Sequence, residues 1–125
     1  MLGSLLQVAL GGALGASARH LVNVSVMRAL GPGFPWATMA VNVAGSLLMG
    51  ALVVWLAKRG GQHWAPFLMT GVLGGFTTFS AFSLDVATLY ERGEVAAAAG
   101  YAVGSVVLSV GALFAGMWLM RVGMA

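Results

Sequence analysis

The residue types with most chemistry to offer are concentrated between Gly71 and Ser83, which read Gly-Val-Leu-Gly-Gly-Phe-Thr-Thr-Phe-Ser-Ala-Phe-Ser. Phe76, Phe79 and Phe82 recur every third residue, so any helical part of the stretch brings them near one face. Such a stripe serves core packing in one reading. In the other, rings presented edge-on form an apolar lining that favours an anion, because the ring edge is the positive part of the quadrupole. Two polar stripes accompany it, Thr38, Asn42 and Ser46 in one segment and Tyr101, Ser105 and Ser109 in another, each at four-residue spacing. The Asn42 amide brings two N–H donors. It serves either as a clasp between helices or as a donor to an ion. The serines either bond back to the carbonyl one turn earlier or face a polar path. Ring edges, hydroxyls and an amide donor together suit a small anion and suit a cation poorly.

The elements that must position these residues lie in a bilayer. Of 125 residues, 60% are hydrophobic and 7% charged, too few charges to cover a soluble domain. The charges divide the chain into runs that can be measured against the roughly 20 apolar residues a spanning helix needs. Residues 1–18 lead into a first span continuing past Arg19. Residues 29–57 hold a second, starting near Trp36 after the turn at Pro32, Gly33 and Pro35; residues 60–84 hold a third, opened by Trp64 and Pro66; residues 95–120 hold a fourth. The expectation is an all-α membrane protein, one four-span domain over residues 1–125, with the third helix broken mid-membrane. Glycine and hydroxyl residues at membrane depth are the reason to place a break there, since irregular backbone is tolerated where protein buries it or a cavity wets it.

Gly11 with Gly15, Gly12 with Ala16, Gly100 with Gly104, and Gly111 with Ala115 are small-xxx-small pairs that would let helices approach closely. Arg19 either reaches the headgroups or faces inward and draws an anion into a vestibule. His20 has no second ligand within a turn and reads as an interfacial residue. Asp85 stands near a span end and reaches water on the simplest reading. No cysteine is present, which excludes disulfides and thiolate metal sites. The net charge of +3 comes from scattered basic residues that form no nucleic-acid patch. The N-terminal apolar run lacks a basic region before it and does not read as a removable signal. Arg28, Arg92 and Arg19 on one side against Lys58, Arg59 and Arg121 on the other give almost no positive-inside bias, so insertion in both orientations and an antiparallel homodimer are expected.

Three segments then carry a resemblance: Gly-Gly-Ala-Leu-Gly-Ala-Ser-Ala-Arg ending at Arg19, Ala-Thr-Met-Ala-Val-Asn-Val-Ala-Gly-Ser around Asn42, and Gly-Gly-Phe-Thr-Thr-Phe-Ser-Ala-Phe-Ser from Gly74. In this order they resemble the Fluc (CrcB-like) family of bacterial fluoride channels along essentially the whole chain. The resemblance implies a dual-topology homodimer with two fluoride pores in the bacterial inner membrane. It implies that Phe79, Phe82 and Asn42 line the pore, with Tyr101 and Ser105 from the fourth span, Ser109 less centrally, and Arg19 at a vestibule. It also implies a structural Na+ at the dimer interface, held by the backbone carbonyls of Gly74 and Thr77. Some positions depart from the family pattern. His20 replaces an aromatic, Ala37 a glycine, Ala40 and Ala81 threonines, and Asp85 a glutamate, which leaves Ser80 as the main survivor of a polar track beside the phenylalanines.

The function expected is passive export of cytoplasmic fluoride, without any covalent step, by exchanging the ion's hydration shell for the amide, hydroxyls and ring edges of a narrow path. The alternative is a small proton-coupled multidrug-type exporter, against which stands the lack of a carboxylate in the first two spans. A structural assembly protein, with every polar residue serving helix packing, is the third reading.

Overall fold

The structure is a computed structural model that describes residues 1–125, and it is helical almost throughout. Helix α1 spans Leu2–Leu30 and α2 spans Trp36–Arg59. A short 3-10 turn, Gln62–Trp64, leads to α3, which is π-helical over Pro66–Leu73 and finishes as the α-helical turn Gly74–Phe76. Helix α4 spans Phe79–Glu91 and α5 spans Val95–Gly123. The turns are set by sequence. Gly60 takes the left-handed conformation at φ 69° and donates its N–H to the Leu56 carbonyl, closing α2 in the way that favours glycine.

Three stretches are long and apolar enough to cross a membrane: Trp36–Arg59, Gln62–Glu91 and Val95–Gly123. The expected first span forms a helix of 29 residues, but Gln7, Arg19, His20 and Asn23 interrupt its apolar character. It remains in the bundle because its glycine face lies directly on α3. A Cβ at Gly15 would collide with the Val72 carbonyl oxygen, and one at Gly75 would lie 2.7 Å from the Gly12 carbonyl. Small residues bring these two backbones into contact, as the Gly11/Gly15 spacing predicts.

A second close crossing joins α2 to α5, where a Cβ at Gly50 would strike the Leu113 carbonyl and one at Gly116 the Leu47 carbonyl. The expected Gly100/Gly104 and Gly111/Ala115 contacts are absent from it: Gly100 and Gly111 have no neighbour in the way, and Gly104 meets only Met39. The register shows that α1 runs parallel to α3 and α2 parallel to α5. Few side chains are fully enclosed; Val41, Leu56 and Tyr101 are the largest. Tyr101 packs with Leu89 and Ala98 under Phe34, Phe82 and Val86. Much of the rest of the apolar surface, including Val106, Val110, Phe114 and Trp118 on α5, faces outward, as a multi-pass membrane protein requires.

Candidate functional site

Helical backbone stops at Phe76 and resumes at Phe79. Between them Thr77 (φ −90°, ψ 157°) and Thr78 (φ −153°, ψ 125°) are extended. Gly45 on α2 makes room for this, since a Cβ there would collide with the Thr77 methyl. The freed backbone groups find specific partners. The Thr78 amide donates to Asn42 Oδ1 at 2.8 Å, and Asn42 Nδ2 donates to the Thr78 carbonyl at 3.0 Å. The Thr78 hydroxyl accepts the Ala81 amide at 3.1 Å and so caps α4. On the other side, Arg19 Nε donates to the Gly75 carbonyl at 3.0 Å, and the Thr77 hydroxyl donates to Leu73 at 2.9 Å. Arg19 is half-buried and points inward.

These bonds release two carbonyls. In a continuous helix the Thr78 amide would bond the Gly74 carbonyl and the Ala81 amide the Thr77 carbonyl. Here both amides are taken by the side chains of Asn42 and Thr78. Gly74 and Thr77 therefore lose their usual helical donors.

A groove of about 420 Å³ runs along α2, the extended residues and α5. It gathers Asn42, Ser46, Phe79, Phe82, Ser105 and Ser109. Phe79 and Phe82 lie with ring centroids 5.6 Å apart, tilted at 45°. The Ser105 hydroxyl is buried and has no hydrogen-bond partner in the protomer, so it does not bond back to the preceding turn. A buried hydroxyl left unsatisfied is unusual, and this one belongs to a residue that lines the groove.

Other candidates lie elsewhere. Tyr101 is fully buried and lines no part of the groove; its hydroxyl donates to Asp85 Oδ2 at 3.0 Å, and its ring lies 5.2 Å from that of Phe82. It supports Phe82 from behind. Asp85 is thus held by a side chain of the bundle, which differs from the expectation that it simply reaches water. Ser80 is exposed and outside the groove, with its Oγ 3.3 Å from the Thr78 hydroxyl. Thr38 does not join Asn42 and Ser46. It lines two smaller cavities, neither of which Asn42 lines.

Thr78 is the residue that spacing alone misses. Its signal was available, because a threonine followed by Phe-Ser-Ala at the start of a helical run is an N-cap pattern. No cluster of three or more His, Cys, Asp or Glu side chains is placed to bind a metal. Any cation site here would rest on carbonyl oxygens.

The family model described as "CrcB-like protein, Camphor Resistance (CrcB)" matches residues 6–117. The chain is 66% identical over its full length to a protein of Cereibacter sphaeroides, of which it also covers 100%, named "Fluoride-specific ion channel FluC". Proteins of the same name from Paracoccus denitrificans (64% identical, 93% of each chain) and Mesorhizobium japonicum (53% identical, 94% of this chain and 96% of the other) are also similar. With a family match over almost all of its length and relatives this similar, the chain belongs to the CrcB-like family.

Proposed function

We propose that this protein is a fluoride-selective channel that lets the ion leave the cytoplasm passively and so protects the cell against fluoride. The observation that carries this reading is the convergence of Asn42, Phe79, Phe82, Ser105 and Ser109 on one groove, in a chain whose relatives are named fluoride-specific channels. The groove offers a dehydrated anion hydrogen-bond donors and aromatic rings, with no carboxylate among its lining residues. Asn42 gives one N–H to Thr78, which leaves the other for the ion. Ser105 contributes its unpartnered hydroxyl. Tyr101 acts indirectly, by fixing Phe82, and Ser80 acts through the Thr78 hydroxyl.

The working unit of this reading is an antiparallel homodimer in the bacterial inner membrane. Its support is the near-even distribution of basic residues between the two faces and the open groove, whose edge is formed by exposed Phe79, Val106 and Val110. A two-fold partner would turn each open groove into a closed path. The break between Phe76 and Phe79 would then lie at membrane depth, where the Asn42 and Thr78 side chains satisfy its amides.

A structural Na+ at the dimer axis belongs to the same proposal. Gly74 and Thr77 suit it, because their carbonyls have lost their helical donors and a hard cation prefers oxygen ligands. Bound there, the ion would neutralise the carbonyl dipoles and hold the two breaks together. Fluoride release from liposomes without a proton gradient tests the channel reading, and a strict need for that gradient would favour the exporter.

A further inference from the structure

An unbroken chain of aromatic rings runs from the turn between α1 and α2 to the groove. The Trp36 ring lies 4.5 Å from that of Phe34, Phe34 lies 5.4 Å from Tyr101, Tyr101 lies 5.2 Å from Phe82, and Phe82 lies 5.6 Å from Phe79. All four spacings fall within the roughly 4.5–7 Å over which paired rings attract. Trp36 is exposed at the start of α2, Tyr101 is fully buried, and Phe79 and Phe82 line the groove, so the chain joins the surface to the site. The turn that supplies Phe34 is held in several ways. Pro32 and Pro35 restrict its backbone. The Trp36 amide donates to the Phe34 carbonyl at 2.9 Å across Pro35 at φ −79°, ψ 64°, the geometry of an inverse γ-turn. Arg92, between α4 and α5, donates Nη1 to the Gly33 carbonyl at 3.4 Å.

We infer that Phe34 is a positioning residue for the pore: by fixing the Tyr101 ring it sets the tilt of Phe82 in the groove, so that a residue of the α1–α2 turn governs how well the path conducts. The inference rests on the channel reading. What Phe82 offers an anion depends on whether its edge or its face is presented, so the tilt of that ring matters to the ion. The ring behind it is Tyr101, 42° from the plane of Phe82. The hydrogen bond from Tyr101 to Asp85 at 3.0 Å fixes the hydroxyl end of the ring but leaves its rotation about its own long axis, a torsion with broad wells. Phe34 supplies the missing restraint. Its plane stands at 89° to that of Tyr101, an edge contact that a rotating Tyr101 ring would lose. Leu89 and Ala98 pack beside Tyr101 as well, but they are aliphatic and specify volume rather than angle.

The test is unitary fluoride conductance in planar bilayers, which does not depend on how much protein is folded, set beside thermal melting in detergent. Phe34→Leu keeps an apolar side chain in the same space and should melt close to the wild type, yet its unitary conductance should fall roughly three- to tenfold, the factor that one aromatic pair contributes to an equilibrium. Phe34→Tyr keeps the ring, and the cavity of about 220 Å³ that Phe34 lines leaves room for the hydroxyl, so it should conduct like the wild type. Leu56→Ala, at a fully buried position towards the other end of α2, should melt lower and conduct normally. Wild-type conductance in Phe34→Leu, a Phe34→Tyr channel as poor as Phe34→Leu, or an equal fall in Leu56→Ala would overturn the inference and leave the channel reading standing. Absence of any fluoride current in the wild-type protein would overturn both.

Discussion

Asn42 holds Thr78 by both of its backbone polar groups, accepting from the amide at 2.8 Å and donating to the carbonyl at 3.0 Å across 36 residues of chain. A side-chain amide is here paired with a main-chain unit as a neighbouring strand would be. The pairing joins α2 to the extended backbone, and it places the residue nominated for the ion at the point where the helix opens.

Asn42→Asp is expected to disable transport while preserving size. The aspartate can still accept from the Thr78 amide, but it has lost the donor and sets a carboxylate oxygen against the Thr78 carbonyl. A part-buried bond broken in this way costs about 2–3 kcal/mol, which corresponds to roughly a 100-fold fall in flux if the open geometry depends on it. Fluoride efflux from liposomes, normalised to folded protein, measures the fall; wild-type flux in the variant would show that the pairing is dispensable.

Phe79 and Phe82 should separate in their effects. Phe79 is 77% exposed in the single chain, so Phe79→Ile should disturb packing within the chain by less than about 0.5 kcal/mol, any larger loss being a loss of dimer contact, while reducing fluoride flux at least about tenfold. Phe82 packs between the rings of Phe79 and Tyr101, at 5.6 and 5.2 Å. Phe82→Ile should therefore lose flux and also about 1–2 kcal/mol of stability. Thermal melting in detergent alongside efflux distinguishes the two. If every polar and aromatic residue served packing alone, neither variant would have flux to lose.

Replacing Na+ by a large organic cation during purification and assay should weaken the dimer or lower fluoride flux, because the carbonyls of Gly74 and Thr77 would again lack partners. Size-exclusion profiles and efflux with and without Na+ are the readouts. Indifference of both to Na+ would remove the cation from the proposal.

The helices and the close-packing role of Gly11 and Gly15 were legible in the sequence, because charge-free runs and the spacing of small residues act locally, whereas the helix they meet, α3, was not. The glycine-hydroxyl run also marked where the backbone changes, since Thr77 and Thr78 are the extended residues. The π-helical form of Pro66–Leu73 was not legible, as an apolar run reads alike in any helix type. The first span was expected to continue past Arg19; a helix does form over Leu2–Leu30, but its polar residues leave it outside the three stretches apolar enough to cross a membrane.

Around the groove, spacing gave the face of a helix but not what that face meets. Ser105 and Ser109 share a groove with Asn42, whereas Tyr101, one turn earlier on the same stripe, turns into the core toward Asp85. Thr38 parts from Asn42 too: Asn42 pairs with Thr78 and lines the groove, whereas Thr38 lines two other cavities. Long-range partners of this kind leave no periodic trace.

The most direct test of the channel itself is fluoride efflux from liposomes containing the purified protein, followed with a fluoride electrode after valinomycin is added under an outward K+ gradient, with chloride measured in parallel. Rapid fluoride release, without chloride release and without a proton gradient, is the result expected of a fluoride-selective channel. Release no faster than from empty liposomes, by protein shown to be a folded dimer, would contradict it.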